Sequence, residues 1–446
     1  MKKGDRLLFC ATSPSKAPGL KGPRRPERVA QKSSLSPFFL FCLLALPAFA
    51  GSRARYGGAL QVALSGKPAE ADGLYADTPA EASLLALTHR ALCLAPFTVS
   101  RPSPTTVRIE VPASVKALDV VAHLKRVQNE PSPYRALLAP VSQVLVSGNA
   151  VELKLAYAWP DLDSALCHPA LALPNAGPFK LSPTAGRYTA DGAYAAGRPY
   201  LDEIIVTSTD DRGAERLFSQ RKAHLAVGLL PKPELEKVQL PFATALLFSP
   251  SLGAGFRAAF ETSVDRTDLV RFFVRPPAAP LLPGTPQTKP APLSPVREVT
   301  LLYDASLDDQ RAVAARLQVR LNPLGYRVAL KPLPRRELRA RWAKGDYELM
   351  LFSSLLPPRA SSALALVLET ARATDLAAKH LPALGALDDD ARDEKAKELL
   401  VSLGPSLNAL PLYVQGLSLA VGPQVFNLKL DAWGLPKLDD VFLGAE

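Results

Sequence analysis

Few side chains in this sequence are placed for covalent chemistry. The five histidines, at 89, 123, 168, 224 and 380, stand apart, and none forms the His-x-x-x-His pair that sets two imidazoles on one helix face around a metal. The nearest approach to a nucleophile elbow is Gly416-Leu417-Ser418-Leu419-Ala420, which lacks the second glycine. No phosphate loop or dinucleotide fingerprint is present. Asp388-Asp389-Asp390 reads as the solvated entry to a helix, not a metal site. An enzyme is therefore not expected, and no cofactor or metal is implied. Trp159, Trp342 and Trp433 could line a pocket, but Trp342 reads as the anchor of its helix and Trp433 as packing for the C-terminal segment. Of the four cysteines, none has zinc-ligand spacing. Cys93 and Cys167 could pair in an oxidising compartment or stand as two separate buried thiols.

The charge pattern excludes one function class. The net charge is +11, but the first fifty residues hold nine Lys or Arg against two Asp or Glu and so carry seven of those charges. The rest of the chain has no basic excess that would bind nucleic acid. Those fifty residues read as a leader. Leu35 to Ala50 is a short apolar run after a basic stretch, and it closes on Ala48-Phe49-Ala50, the small-x-small pattern of signal-peptidase cleavage. The expected product is exported and cut after Ala50. An uncleaved anchor is the alternative, and Cys42 lies in the run without a good lipobox.

The elements beyond the leader follow from apolar spacing. Gly58 to Gly66 reads as a buried strand, followed by a helix with Asp77 as cap and Pro79 in its first turn. Thr106 to Val111 alternates as a strand, and Ser114 is placed to cap a helix bearing Val115, Leu118, Val121 and Leu124 on one side. Val144 to Tyr157 reads as a hairpin and Pro178 to Val206 as sheet. A helix near Ala214 to Gln220 leads to a strand at Ala223 to Val227, and Phe242 to Phe248 is a further strand. Eight of the 43 prolines fall within residues 276–295, which predicts an extended connection. From Val299 the pattern runs strand, helix, strand, helix, strand through Phe352. Ser306 and Asp309 are spaced for a capping box, and Val313, Leu317, Leu321 and Leu324 lie on one helix face. Such alternation implies parallel pairing with right-handed crossovers. A last helix covers Asp393 to Leu400, and no internal repeat is evident.

Six segments, in order, carry a family resemblance: Tyr56 to Gly66 (YGGALQVALSG), Gly177-Pro178-Phe179-Lys180-Leu181, Gly197 to Ile204 (GRPYLDEI), Ser263-Val264-Asp265-Arg266 with Leu269, Lys344-Gly345-Asp346-Tyr347-Glu348-Leu349, and Leu410 to Pro436 with its Asp431-Ala432-Trp433-Gly434-Leu435-Pro436 end. Together they resemble solute-binding protein family 5, which contains the dipeptide, oligopeptide and nickel binding proteins of ABC importers. The resemblance departs in three places. The Phe-His-Asp-Gly stretch expected after Val111 is missing, and the chain is shorter than typical members. Where peptide binders carry a Trp and then Asp-Tyr-Pro-Asp-Pro, this chain reads Ser353-Ser354-Leu355-Leu356-Pro357-Pro358, without a carboxylate for a peptide's amino terminus.

The resemblance implies an α/β bilobal periplasmic-binding-protein fold (type II). Residues 51–241 and 415–446 would form one lobe and residues 242–414 the other, joined by a two-segment hinge near 241 and 414. A small solute, peptide-like or otherwise, would be held between the lobes by strand-end residues. On that logic Ser65, Ser249, Ser353 and Ser354 are candidate ligand contacts, since each follows an apolar strand and each hydroxyl can donate and accept. Phe352 and Tyr413 would supply walls. The implied partner is an inner-membrane ABC permease, and a monomer is expected. The rival reading is the same fold with an eroded pocket, serving as an envelope scaffold or sensor.

Overall fold

The computed structural model describes residues 56–66, 68, 71–228, 241–274, 278–281 and 296–444. The leader at 1–50 and most of the proline-rich stretch at 276–295 lie outside the described residues. In chain order the first half supplies β1 (Ala59–Ser65), α1 (Pro79–Thr88), β2 (Thr98–Ser103), β3 (Thr106–Glu110), α2 (Ala117–Asn129), β4 (Val141–Ser147), β5 (Ala150–Leu155), β6 (Phe179–Leu181), β7 (Arg187–Ala190), β8 (Glu203–Thr209), α3 (Asp211–Ser219) and β9 (Leu225–Gly228). The second half supplies β10 (Phe242–Phe248), α4 (Gly253–Ser263), α5 (Arg266–Phe273), β11 (Ala278–Pro280), β12 (Arg297–Asp304), α6 (Asp308–Leu321), β13 (Tyr326–Leu333), α7 (Arg335–Lys344), β14 (Leu349–Leu355), α8 (Ala360–Thr370), α9 (Thr374–Gly385), α10 (Asp389–Leu403), β15 (Ala409–Gln415) and β16 (Ser418–Val421).

These strands build two six-stranded sheets and a four-stranded one. Sheet I runs β16-β9-β1-β8-β7-β6, with β1 parallel to both β8 and β9. Sheet II runs β11-β15-β10-β14-β12-β13, with β12 parallel to β13 and β14. The chain passes from sheet I to sheet II between Gly228 and Phe242, and returns between Gln415 and Ser418. The four-stranded sheet, β2-β3-β5-β4, sits within the first half and is backed by α2.

Period-two alternation decides which core each strand side serves. On β12 and β14, Val299, Leu301, Leu349 and Leu351 join Val313, Leu317 and Leu321 of α6 and Phe256 and Phe260 of α4. Their neighbours Leu302, Met350 and Phe352 face the other way, into a larger core. That core extends through Tyr134, Leu137 and Leu124 to Leu60, Val62 and Leu64 on sheet I. Ion pairs tie the same parts together. Asp161 takes Arg392 in a two-point contact, Nε at 2.9 Å and Nη2 at 3.0 Å. Arg135 Nη2 meets Glu369 at 2.5 Å, and Trp342 donates to the Thr370 carbonyl at 2.9 Å. Cys93 and Cys167 are joined, with their Cα atoms 5.1 Å apart.

Three expected helix caps are corrected. Thr78, not Asp77, caps α1: its hydroxyl accepts from Glu81 N and Glu81 reaches back to the Thr78 amide. Asp77 is buried and used elsewhere. Helix α2 starts at Ala117 after Lys116 without a side-chain cap, so Ser114 plays no part, and Leu118 is exposed. Helix α6 follows Leu307, because the Ser306 hydroxyl is turned back onto Asp304 Oδ1 at 2.6 Å.

Candidate functional site

Three parallel strands of sheet I end side by side. Register places Ser65 of β1 beside Thr209 of β8, and Leu64 beside Val227, so Gly228 follows at the same edge. Gly228 has φ +139°, and a Cβ there would lie 2.4 Å from Ser65 Cβ, so only glycine lets the two strand ends approach. The Ser65 hydroxyl donates to Asp211 at the start of α3, and Asp210 caps that helix by accepting from Gly213 N at 2.7 Å.

Sheet II presents a row of polar groups across three adjacent strands. Thr244 of β10 is paired with Ser353 of β14 on one side and Tyr413 of β15 on the other. Thr244 Oγ1 and Ser353 Oγ are 2.8 Å apart, and Tyr413 is hydrogen-bonded to Thr244. Burial, the largest effect, pushes the Tyr413 hydroxyl further above its ordinary range, so it stays a neutral group. The first turn of α6 adds two links. Gln310 Nε2 donates to Ser353 Oγ at 2.9 Å while its oxygen accepts from Asp304 N, and Gln415 Nε2 donates to Asp309 Oδ2 at 2.8 Å.

The sheet I edge and this row face each other across a cavity of about 320 Å³. Asp77, Thr78, Ser306 and Asp308 complete much of its wall. Four carboxylates, those of Asp77, Asp210, Asp308 and Asp309, line it, and among the described residues no Lys, Arg or His does.

Behind Asp77 lies a buried charge cluster. Arg335 Nε donates to Asp304 at 2.6 Å, and its Nη1 to Glu81 at 2.6 Å and to the Tyr75 carbonyl at 2.7 Å. Burial disfavours the Arg335 charge, but Asp77, Glu81 and Asp304 more than offset that and raise its pKa above the ordinary guanidinium value. Arg339 Nη2 donates to Asp77 Oδ2 at 2.5 Å, and Tyr134 donates to Asp77 Oδ1 at 3.1 Å. Burial, reinforced by Glu81, raises the Asp77 pKa despite both arginines.

Of the residues expected at a ligand, the structure brings Ser65, Ser353 and Tyr413 to the cavity. Ser249 is not there. It follows β10, which runs antiparallel to β14, so that end lies at the opposite edge, where Ser249 Oγ accepts from Ser251 N at 3.3 Å. Phe352 and Ser354 are buried and, by alternation, share the face opposite Ser353. Phe352 packs on Trp342 and lies under Arg339. Asp77, Thr78, Thr209, Thr244, Asp309 and Gln310 also line the cavity and were not singled out as ligand contacts; of these only Thr209 ends a strand.

The segment lacking the expected carboxylate is held by the chain itself. Leu355 N donates to the Tyr134 hydroxyl at 2.9 Å, and the Leu355 carbonyl lies 3.0 Å from His168 Nε2. Trp433 Nε1 donates to the Leu356 carbonyl at 3.1 Å. His168 Nδ1 accepts from Ala170 N, which leaves the proton on Nε2 for Leu355. Burial lowers the His168 pKa from 6.5 to about 4. The unfolded chain therefore binds this proton first as pH falls, so stability from neutral His168 is complete above about pH 6.5 and declines towards pH 4. The gap corresponds to about 3 kcal/mol. We expect His168→Gln, which keeps a donor for Leu355, to lose less stability than the parent between those pH values. Urea titrations at each pH would show it, and parallel pH profiles would refute the assignment.

No family model matches the chain, and no curated protein matches it. Solved structures do. The periplasmic binding protein DppA from Helicobacter pylori, in complex with the peptide STSA, has a TM-score of 0.69 at 12% identity, over 88% of this chain and 99% of that one. AgaA from A. tumefaciens, in complex with agropinic acid, gives 0.65 at 17% over 87% and 99%. NikA from Staphylococcus aureus, in complex with Ni(L-His)2, gives 0.63 at 15% over 86% and 99%. At these identities the likeness establishes the fold: α/β, bilobal and of the periplasmic-binding type.

Proposed function

We propose that this chain is an extracytoplasmic solute-binding subunit of an ABC importer that holds a small solute in the cavity between the sheet I edge and the Thr244–Ser353–Tyr413 row. One observation carries the reading: a 320 Å³ cavity lies where the carboxyl ends of parallel strands in sheet I face polar groups of sheet II, as ligand sites do in open α/β sheets. Among the described residues four carboxylates and no basic side chain line the cavity, which favours a solute with at least one positive charge. The hydroxyls and amides of Ser65, Ser353, Thr244 and Gln415 suit further polar groups on it. Neighbours in the fold bind a peptide, agropinic acid or a nickel complex, which supports solute capture as the role. On this reading the leader directs export, cleavage follows Ala50, and an inner-membrane permease accepts the solute. The lobes would be residues 51–241 with 415–446, and residues 242–414.

The test is a thermal-shift screen against cationic amino acids, polyamines, short peptides, sugars and metal chelates. A solute at 100 times its Kd should stabilise by about 2.7 kcal/mol. Ser353→Ala, which breaks the polar row, should shrink the response to any hit. A flat response to the whole panel would overturn the proposal. One observation favours the rival scaffold or sensor role: the chain's own side chains fill the region around Phe352.

A further inference from the structure

A guanidinium of the chain itself sits where a guest cation would fit. Arg339 projects from α7 and lies over the Phe352 ring at 4.0 Å, with the Tyr134 ring at 5.9 Å. Its Nη2 donates to Asp77 Oδ2 at 2.5 Å and to the Ser353 carbonyl at 3.1 Å. An aromatic face, a carboxylate and a carbonyl are the contacts by which proteins recognise a free guanidinium or ammonium. The side chain is 1% exposed, and its Nη1 is buried with no hydrogen-bond partner among the described residues. Buried polar atoms are normally satisfied, so this arginine does not use its full donor set. Asp77 belongs both to this seat and to the cavity wall, and so does Ser353.

We propose that Arg339 is a specificity-determining residue, a built-in guest that fills a cation seat continuous with the cavity and keeps an entering solute away from Phe352. A solute in the cavity meets Asp77 and Ser353 and can extend no further in that direction. The size limit rests on the cavity being the solute site. The seat itself does not.

The test is chemical rescue of Arg339→Ala in the full chain, with methylguanidinium chloride as the probe. The variant should unfold at lower temperature than the parent. Methylguanidinium at about 20 mM should raise its midpoint by at least about 3 °C more than equal sodium chloride or urea does. The parent, whose seat is filled, should show no such difference. In Asp77→Ala/Arg339→Ala the response should vanish. An Arg339→Ala midpoint that responds equally to both salts would overturn the proposal, and so would a response that survives in the double variant. Should Arg339→Ala not purify folded, the comparison moves to its refolding yield from urea. A higher yield in methylguanidinium supports the seat, and an equal or zero yield in both salts overturns it. No arm uses the native solute, so failure here is distinct from a flat solute screen.

Discussion

Replacing Arg335 by Met should cost the protein about 3–5 kcal/mol, the penalty for removing one partner from a buried ion cluster. Arg335 is 2% exposed, and it bonds Asp304, Glu81, the Tyr75 carbonyl and Ser306 at 2.6 to 3.1 Å. Methionine matches much of its apolar stem but has no donor. Two carboxylates, Glu81 at 1% and Asp304 at 3% side-chain exposure, would then lack their main counter-charge. They must either stay ionised in a poor solvent or take up protons, and both outcomes lower stability at neutral pH. The loss should exceed the worth of the pair itself, because most of it comes from buried acids that have lost a counter-charge. Adding Glu81→Leu to Arg335→Met should therefore restore part of it, with a coupling of about 0.5–3 kcal/mol. Urea unfolding of the parent, both single variants and the double variant measures this. A loss below about 1 kcal/mol for Arg335→Met would show that water reaches the cluster freely, as it does at surface pairs.

The same cluster marks the limit of what sequence reveals. The run from β12 to β14 is legible because each strand is short and apolar and each helix carries one apolar stripe. Val313, Leu317 and Leu321 announce a face, and the face is buried. Helix α8 is different. It buries Ser361, Ser362, Leu364, Ala365, Leu366, Leu368 and Thr370, which cover too much of its circumference to leave a stripe. Helix α9 carries Pro382 in its interior, which argues locally against a helix. Both went unread.

Strand-end logic named Ser65 and Ser353, which lie at the cavity, and Ser249, which lies at the opposite edge because β10 runs the opposite way from its neighbours. Asp77 and Thr78 are adjacent residues of cap-forming type, and the local signal that favours Thr78, the Thr78-x-x-Glu81 capping box with Pro79 at the first helical position, went unread. What the sequence does not show is the partner of Asp77, Arg339, which is 262 residues away. A contact of that range leaves no spacing to detect. The Arg339 seat is hidden for the same reason, although its parts, Phe352 and Ser353, were both noticed as ligand candidates.

The Cys93–Cys167 bridge should contribute about 2–5 kcal/mol. The two cysteines are 74 residues apart in sequence, and the loop they close contains β2 to β5 and α2. In the chain-entropy account a loop of that length restrains the unfolded state by about 4 kcal/mol, before any change in the unfolded chain's own structure is allowed for. The restraint acts on the segment that presents Tyr134 and His168 to Leu355, so its loss should reach the centre of the protein. Cys93→Ala/Cys167→Ala should lower the urea midpoint, and reductant should lower the parent's midpoint to a similar value without affecting the variant. Non-reducing peptide mapping of protein secreted into the periplasm should recover the two cysteines in one linked pair. Free thiols at both positions there, or a variant as stable as the parent, would remove the bridge from the energetics. The remaining consequence concerns compartment. A chain kept in a reducing environment would lack this restraint, so an oxidising compartment is a condition of full stability.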